Sequence, residues 1–204
     1  ASKCGIRRLG EPVGAVGRYD FSAAYIESSV EGSLRRMGLE TMDLLMLHRP
    51  DYLMDPAEVA GAFVRLRAAG KVREFGVSNF RTTQVTALQR ACGFPLVTHQ
   101  VEVSLIHTAA LEDGTLDQCL MDGVTPTAWS PLGRGQLGDG PLTGLPAEAQ
   151  LRAERVRAEL DVLAPTYGVG RTELAVAWLL KHPTAMAPVV GSVNPARIAA
   201  LSKA

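Results

Sequence analysis

No sign of charge dominates this sequence: 21 lysines and arginines balance 21 aspartates and glutamates over 204 residues. Such a chain has no field to draw in nucleic acid or an anionic membrane surface, so neither is expected as a partner. Aromatic residues are scarce, 5% against a hydrophobic fraction of 47%, so Ala, Val and Leu are expected to fill the core. Cysteine is confined to Cys4, Cys92 and Cys119, widely spaced, with no CxxC and no histidine at ligand spacing. That argues against a disulfide framework or a cysteine–histidine metal site and points to reduced thiols in the cytoplasm. No apolar run approaches a membrane span, and Ala1-Ser2-Lys3-Cys4-Gly5 lacks the shape of a signal peptide. The GxGxxG of a dinucleotide-binding fold is also missing; Gly133-Arg134-Gly135 is not that motif.

What the sequence does hold is an alternation of two kinds of segment. Short apolar runs cover Met42 to Leu47, Glu74 to Val77, Leu96 to Val101, Thr125 to Trp129 and Ala187 to Val190. Several lack polar alternation, as suits strands covered on both faces. Between them lie helical patterns. Ile26, Val30, Leu34 and Met37 recur at helical spacing, with Glu31 and Arg35 at i,i+4. Asp55-Pro56-Ala57-Glu58 predicts a helix start with a capping box, and Gly70 its stop. Further helices are expected around Val85 and Leu88, over Leu111 to Met121, over Ala147 to Leu163, over Thr172 to Leu180, and after Asn194-Pro195. Residues 132–146, rich in Gly and Pro, read as a long loop and not as an interdomain linker, because the β/α rhythm resumes beyond them.

Strands separated by single helices imply a parallel sheet with right-handed crossovers, and one domain over 1–204. Polar residues gather just after the apolar runs: Lys3 and Cys4, then His48, Arg49 and Asp51, then Ser78 and Asn79, Gln100 and Glu102, Trp129 and Ser130, and Gly191, Ser192 and Asn194. A lone histidine at a strand end is more often structural. Six successive strands ending in polar groups instead suggest one shared site face, as in a parallel barrel.

These segments resemble the aldo-keto reductase family. The resemblance is carried by Ser2-Lys3-Cys4-Gly5, Asp43 through Pro50, Gly70-Lys71-Val72-Arg73 through Ser78-Asn79-Phe80, and Gln100-Val101-Glu102. It continues in Ala128-Trp129-Ser130-Pro131-Leu132-Gly133, Val190-Gly191-Ser192 and Asn194-Pro195-Ala196-Arg197. The branch it resembles is the bacterial one whose eighth strand ends in Gly-Ser. The resemblance implies a TIM-type (β/α)8 barrel that uses NADPH or NADH to reduce the carbonyl of a small aldehyde or ketone. By resemblance Lys3 and His48 are catalytic: Lys3 lowers the pKa of a tyrosine proton donor, and His48 donates to the substrate carbonyl. Ser78, Asn79 and Gln100 match residues that hold the nicotinamide carboxamide, and Trp129 the aromatic that stacks on the ring. Ser130, Leu132 and Gly133 match the pyrophosphate stretch. Ser192, Asn194 and Arg197 match the adenosine-phosphate site, where a bidentate Arg197 favours NADPH over NADH. Gly191, where many members have a second cation, and Ala200, where many have a Glu, weaken that preference.

The family's catalytic Asp and Tyr precede its catalytic Lys, and only Ala1 and Ser2 precede Lys3. Tyr19, Tyr25, Tyr52 and Tyr167 fall elsewhere in the pattern. The strand count assigns this chain units three to eight of the barrel, an incomplete barrel for which loss from a longer parent is favoured over a genuine fragment completed by a partner and over a partial reading frame. Exposed sheet edges are then expected to drive self-association. The resulting expectation is an NAD(P)H-dependent oxidoreductase chain inactive on its own. The alternatives are a non-catalytic cofactor-binding or structural subunit, and a barrel lyase or isomerase with Lys3 as a Schiff-base lysine.

Overall fold

Apolar runs too short for a helix become strands, and the amphipathic stretches between them become helices. The computed structural model of the protein describes residues 1–10 and 13–204. They form two units, Ala1–Gln100 and Val101–Ala204.

The first unit opens with β1 (Ser2–Cys4), a small antiparallel pair β2 (Ile6–Arg7) and β3 (Arg18–Tyr19), and α1 (Ala23–Met37). It continues through β4 (Met42–Leu47), α2 (Pro56–Ala68), β5 (Val72–Ser78) and α3 (Thr82–Ala91) into β6 (Thr98–Glu102), whose last two residues belong to the second unit. Strands β1, β4, β5 and β6 pair in that order, all parallel. One register row runs Lys3, Met46, Gly76, Thr98, and the next runs Cys4, Leu47, Val77, His99. Side chains alternate faces along a strand. Leu45, Leu47, Phe75 and Val77 therefore share one face, and they pack with Ile26, Val30, Val59, Phe63, Val85 and Leu88 of the helices. Phe63 stacks on Phe75 at 4.2 Å between ring centroids. Each such buried side chain contributes about 1.5–3 kcal/mol. The opposite face carries Lys3, Met46, Gly76 and Thr98.

Gly76 has a steric reason to be glycine: a Cβ there would meet Thr98 Cγ2 at 2.5 Å and Thr98 O at 2.6 Å. The absent side chain lets β5 lie against β6.

The second unit comprises α4 (Ala109–Glu112), α5 (Thr115–Asp122), β7 (Thr125–Trp129), α6 (Ala147–Leu163), α7 (Arg171–Leu180), β8 (Ala187–Val189) and α8 (Pro195–Ala200). β7 and β8 are parallel, with Trp129 opposite Val189. Val101, Val103, Leu116, Ala128, Leu179 and Met186 form one core cluster; Leu137, Leu160 and Ala175 form another.

Three local expectations need correction. Asp55 does cap α2, accepting from Ala57 N at 2.9 Å, but no capping box forms with Glu58. Glu58 Oε1 instead accepts from Ala23 N at 2.8 Å, satisfying a free N–H at the start of α1. Glu31 pairs with Lys71 and not with Arg35, because the neighbouring connection brings an ammonium closer than its own helix does. The helix expected over Leu111 to Met121 is split into α4 and α5, since Gly114 adopts φ +82 and breaks the run. The β2–β3 pair had no alternating signal strong enough to be read.

Candidate active site

The register of the first unit decides which side chains meet. Ser78 pairs with Gln100 directly, and His48 follows Leu47, the partner of Val77. His48, Ser78 and Gln100 therefore occupy one row at the carboxyl ends of β4, β5 and β6. Lys3, opposite Met46, lies two residues lower and so faces the same side. Side chains from four successive strands of this sheet thus converge on one face.

Backbone bonds tie the ends together. His48 N donates to Cys4 O at 2.9 Å, which ties the residue after β4 to β1. Asn79 N donates to Gln100 O at 2.9 Å, and Asn79 Nδ2 donates to Ser78 Oγ at 2.9 Å and to His48 O at 3.3 Å. Asn79 adopts φ +59, a left-handed conformation that Asn tolerates better than most residues. Asn79 thereby bridges the ends of β4 and β6. Gly5, which follows β1, abuts Phe21, whose ring stacks with Phe80 at 6.1 Å.

The charges here repel. Burial holds the Lys3 amine below its ordinary value of 10.5. Burial, then the charges of Lys3 and Arg49, hold the His48 imidazole below 6.5, so it is mainly neutral near pH 7. A neutral imidazole offers one N–H donor and one acceptor. Ser78 is 1% exposed and accepts from Asn79, which leaves its own hydroxyl proton to donate. Gln100 is 6% exposed, and its side-chain amide makes no hydrogen bond to the described residues. A paired donor and acceptor in this position suits a carboxamide such as that of nicotinamide.

In the second unit the candidates form two clusters at the ends of the paired strands β7 and β8. Trp129 ends β7 and is half-buried. Ser130 at φ +52 and Gly133 at φ +56 close a turn in which Gly133 N donates to Ser130 O at 2.8 Å. A Cβ on Gly133 would meet Ile106 Cδ1 at 2.3 Å. Leu132 is half-buried and packs against the cluster of Leu137, Leu160 and Ala175. After β8, Ser192 Oγ accepts from Asn194 N at 3.1 Å. Asn194 Oδ1 accepts from Ala196 N at 2.9 Å and Arg197 N at 3.3 Å, capping α8. Arg197 is exposed and has no ion-pair partner among the described residues.

Three residues escaped the sequence reading. Arg157 Nε and Nη2 donate to Gln136 O and Gly140 O, both at 2.6 Å, and Arg171 Nη1 donates to Gly138 O at 3.0 Å. These arginines from α6 and α7 hold the 132–146 loop in place. Arg134 lies over Trp129, its Cζ 5.6 Å from the ring centroid. Arginines on these helices carried no signal for contacts to the loop; only folding brings partners 17 to 33 residues apart together.

Among the described residues no cluster of histidine, cysteine or carboxylates could hold a metal ion, and no helix is long and apolar enough to cross a membrane. The chain is 42% identical over 181 residues to a 6-dehydroglucose reductase from Novosphingobium aromaticivorans, covering 89% of this chain and 57% of that protein. It is 41% identical over 204 residues to the oxidoreductase YdhF of Escherichia coli, covering 100% of this chain and 65% of that one. The chain therefore spans about three-fifths of the length of these curated relatives. The solved structure of the glycerol dehydrogenase AKR11B4 from Gluconobacter oxydans superposes with a TM-score of 0.87 at 26% identity, over 100% of this chain and 65% of that one. The model of the aldo/keto reductase family matches residues 1–204, and the chain belongs to that family of oxidoreductases.

Proposed function

We propose that this chain carries the cofactor site and part of the catalytic set of an NADPH-linked reductase of small aldehydes or ketones, with NADH the weaker cofactor. The observation that carries the reading is the convergence of Lys3, His48, Ser78 and Gln100 at the carboxyl ends of four parallel strands. Parallel α/β folds build their sites there. The fold that accompanies it is a (β/α)8 barrel of which residues 1–204 form a single partial domain, units three to eight.

When bound, NADPH supplies a hydride to the carbonyl carbon. From the first unit, Ser78, Asn79 and Gln100 hold the carboxamide. His48, neutral near pH 7, donates to the carbonyl oxygen and stabilises the charge that develops there. Lys3 sets the local potential, favouring the ionised form of a neighbouring proton donor. From the second unit, Trp129 gives the stacking surface, Ser130, Leu132 and Gly133 the pyrophosphate turn, and Ser192, Asn194 and Arg197 the phosphate contacts.

Two of the family's four catalytic residues have counterparts in this sequence. Of the first unit's tyrosines, Tyr25 donates to Ile6 O at 2.7 Å, and Tyr19 and Tyr52 are 42% and 76% exposed. The 204-residue chain alone is therefore expected to bind cofactor without turnover, as a non-catalytic subunit would. The buried free thiols agree with the cytoplasm as its compartment. The outer strand β1, paired only with β4 among the described residues, offers an edge for self-association.

Titrating tryptophan fluorescence with NADPH and with NADH tests the binding claim. Quenching is expected with both, at lower concentration for NADPH. Arg197→Ala is expected to weaken NADPH by about tenfold, bringing it level with NADH. Fluorescence unmoved by either cofactor would end the proposal. NADPH oxidation by a panel of aldehydes then separates a binding chain from a turning-over one.

A further inference from the structure

Arg134 occupies a position that no regular element dictates. It adopts φ +57, uncommon for a residue with a side chain. The turn from Ser130 to Gly133 reverses the chain, so that Arg134 returns over the ring five residues before it. Its Nε and Nη2 donate to Oε1 and Oε2 of Glu102, each at 3.2 Å, a bidentate charge-assisted pair. The two partners differ in exposure: the Glu102 side chain is 14% exposed and that of Arg134 67%. Glu102, on β6, is thus the fixed anchor, and Arg134 spans from it to Trp129. At 5.6 Å from the ring centroid the guanidinium is within cation–π range.

We propose that Arg134, anchored by Glu102, is a positioning residue that holds the Trp129 indole in one orientation, so that the ring is a preformed stacking surface. The proposal rests on the reading that Trp129 stacks on the nicotinamide. The bidentate pair fixes the plane of the guanidinium, and the planar cation in turn restricts rotation of the ring. A lysine could supply the charge but not the two-point anchor. A preordered ring loses less freedom when a ligand stacks on it, which is where an affinity gain would arise.

Trp129 and Trp178 are the two tryptophans, so a Trp178→Phe background reports on Trp129 alone. Without cofactor, Arg134→Ala is expected to raise acrylamide quenching of Trp129 about twofold or more and to lower its anisotropy. Glu102→Gln and Arg134→Lys are expected to give intermediate changes. With NADPH, Arg134→Ala is expected to weaken binding about two- to fivefold. Quenching and anisotropy unchanged in a folded Arg134→Ala protein would overturn the proposal; if that variant does not fold, the same result in Glu102→Gln and Arg134→Lys overturns it. A loosened ring with unchanged NADPH affinity would also overturn the positioning role. If the parent protein binds no cofactor while the ring responds to these substitutions, the positioning of Trp129 stands and the functional reading falls.

Discussion

His48 has two cationic neighbours, Lys3 and Arg49, and no charge of opposite sign among the causes of its shift. Its protonation is therefore opposed by its surroundings. With the folded midpoint below 6.5, the unfolded chain binds more protons between that midpoint and 6.5. Stability should rise as pH rises through this window and be penalised below it. Lys3 behaves alike between its lowered midpoint and 10.5. Proton NMR titration of the imidazole C–H signals should place His48 below the ordinary histidine value, and Lys3→Met should move it upward. A midpoint that ignores Lys3→Met would disprove the charge coupling. His48 was legible in the sequence as a polar residue after a strand. Its depressed pKa was not, because burial, its main cause, comes only with folding, and Lys3, 45 positions away along the chain, reaches it only by strand pairing.

The elements follow from local chemistry with a few tertiary overrides. Asp55-Pro56 and Asn194-Pro195 both cap helices as the sequence implied, since capping depends on a side chain reaching its own backbone two or three residues on. Glu58 departs from its box because another helix start competes for the same carboxylate. Strand contact supplies a sharper test. Gly76→Ala places a methyl within 2.6 Å of the Thr98 carbonyl oxygen and should cost about 1–3 kcal/mol in urea denaturation. Gly93→Ala, whose Cβ would meet nothing within 4 Å, is the control and should stay within about 0.5 kcal/mol. Equal losses at both sites would show that the β5–β6 approach is not the constraint. Phe63→Ala, which empties the stack on Phe75, should cost about 3–5 kcal/mol by the same measurement.

For the whole molecule, chemistry at the thiols gives an accessible measure of folding. Burial pushes Cys4 up to about 12 and Cys92 to about 11, and burial together with Asp122 pushes Cys119 to about 11. None is a ready thiolate near neutral pH. All three should be silent to a thiol reagent at pH 8 in the native protein and react together in denaturant; prompt reaction of one in the native state would show that its unit opens locally. A bound cofactor should protect further, by about 2.7 kcal/mol at a hundredfold excess over its dissociation constant. The sequence by itself determined the β/α alternation, the capped helix starts and the identity of the strand-end polar residues, because each is written in spacing that local geometry obeys, and its motifs carried the resemblance to the family. The tertiary structure alone decided that Lys3, His48, Ser78 and Gln100 share one face, that Asn79 ties two strand ends together, and that Arg134, paired with Glu102, lies over Trp129. Those relations depend on register and on contacts between residues far apart in the chain, which no local pattern encodes.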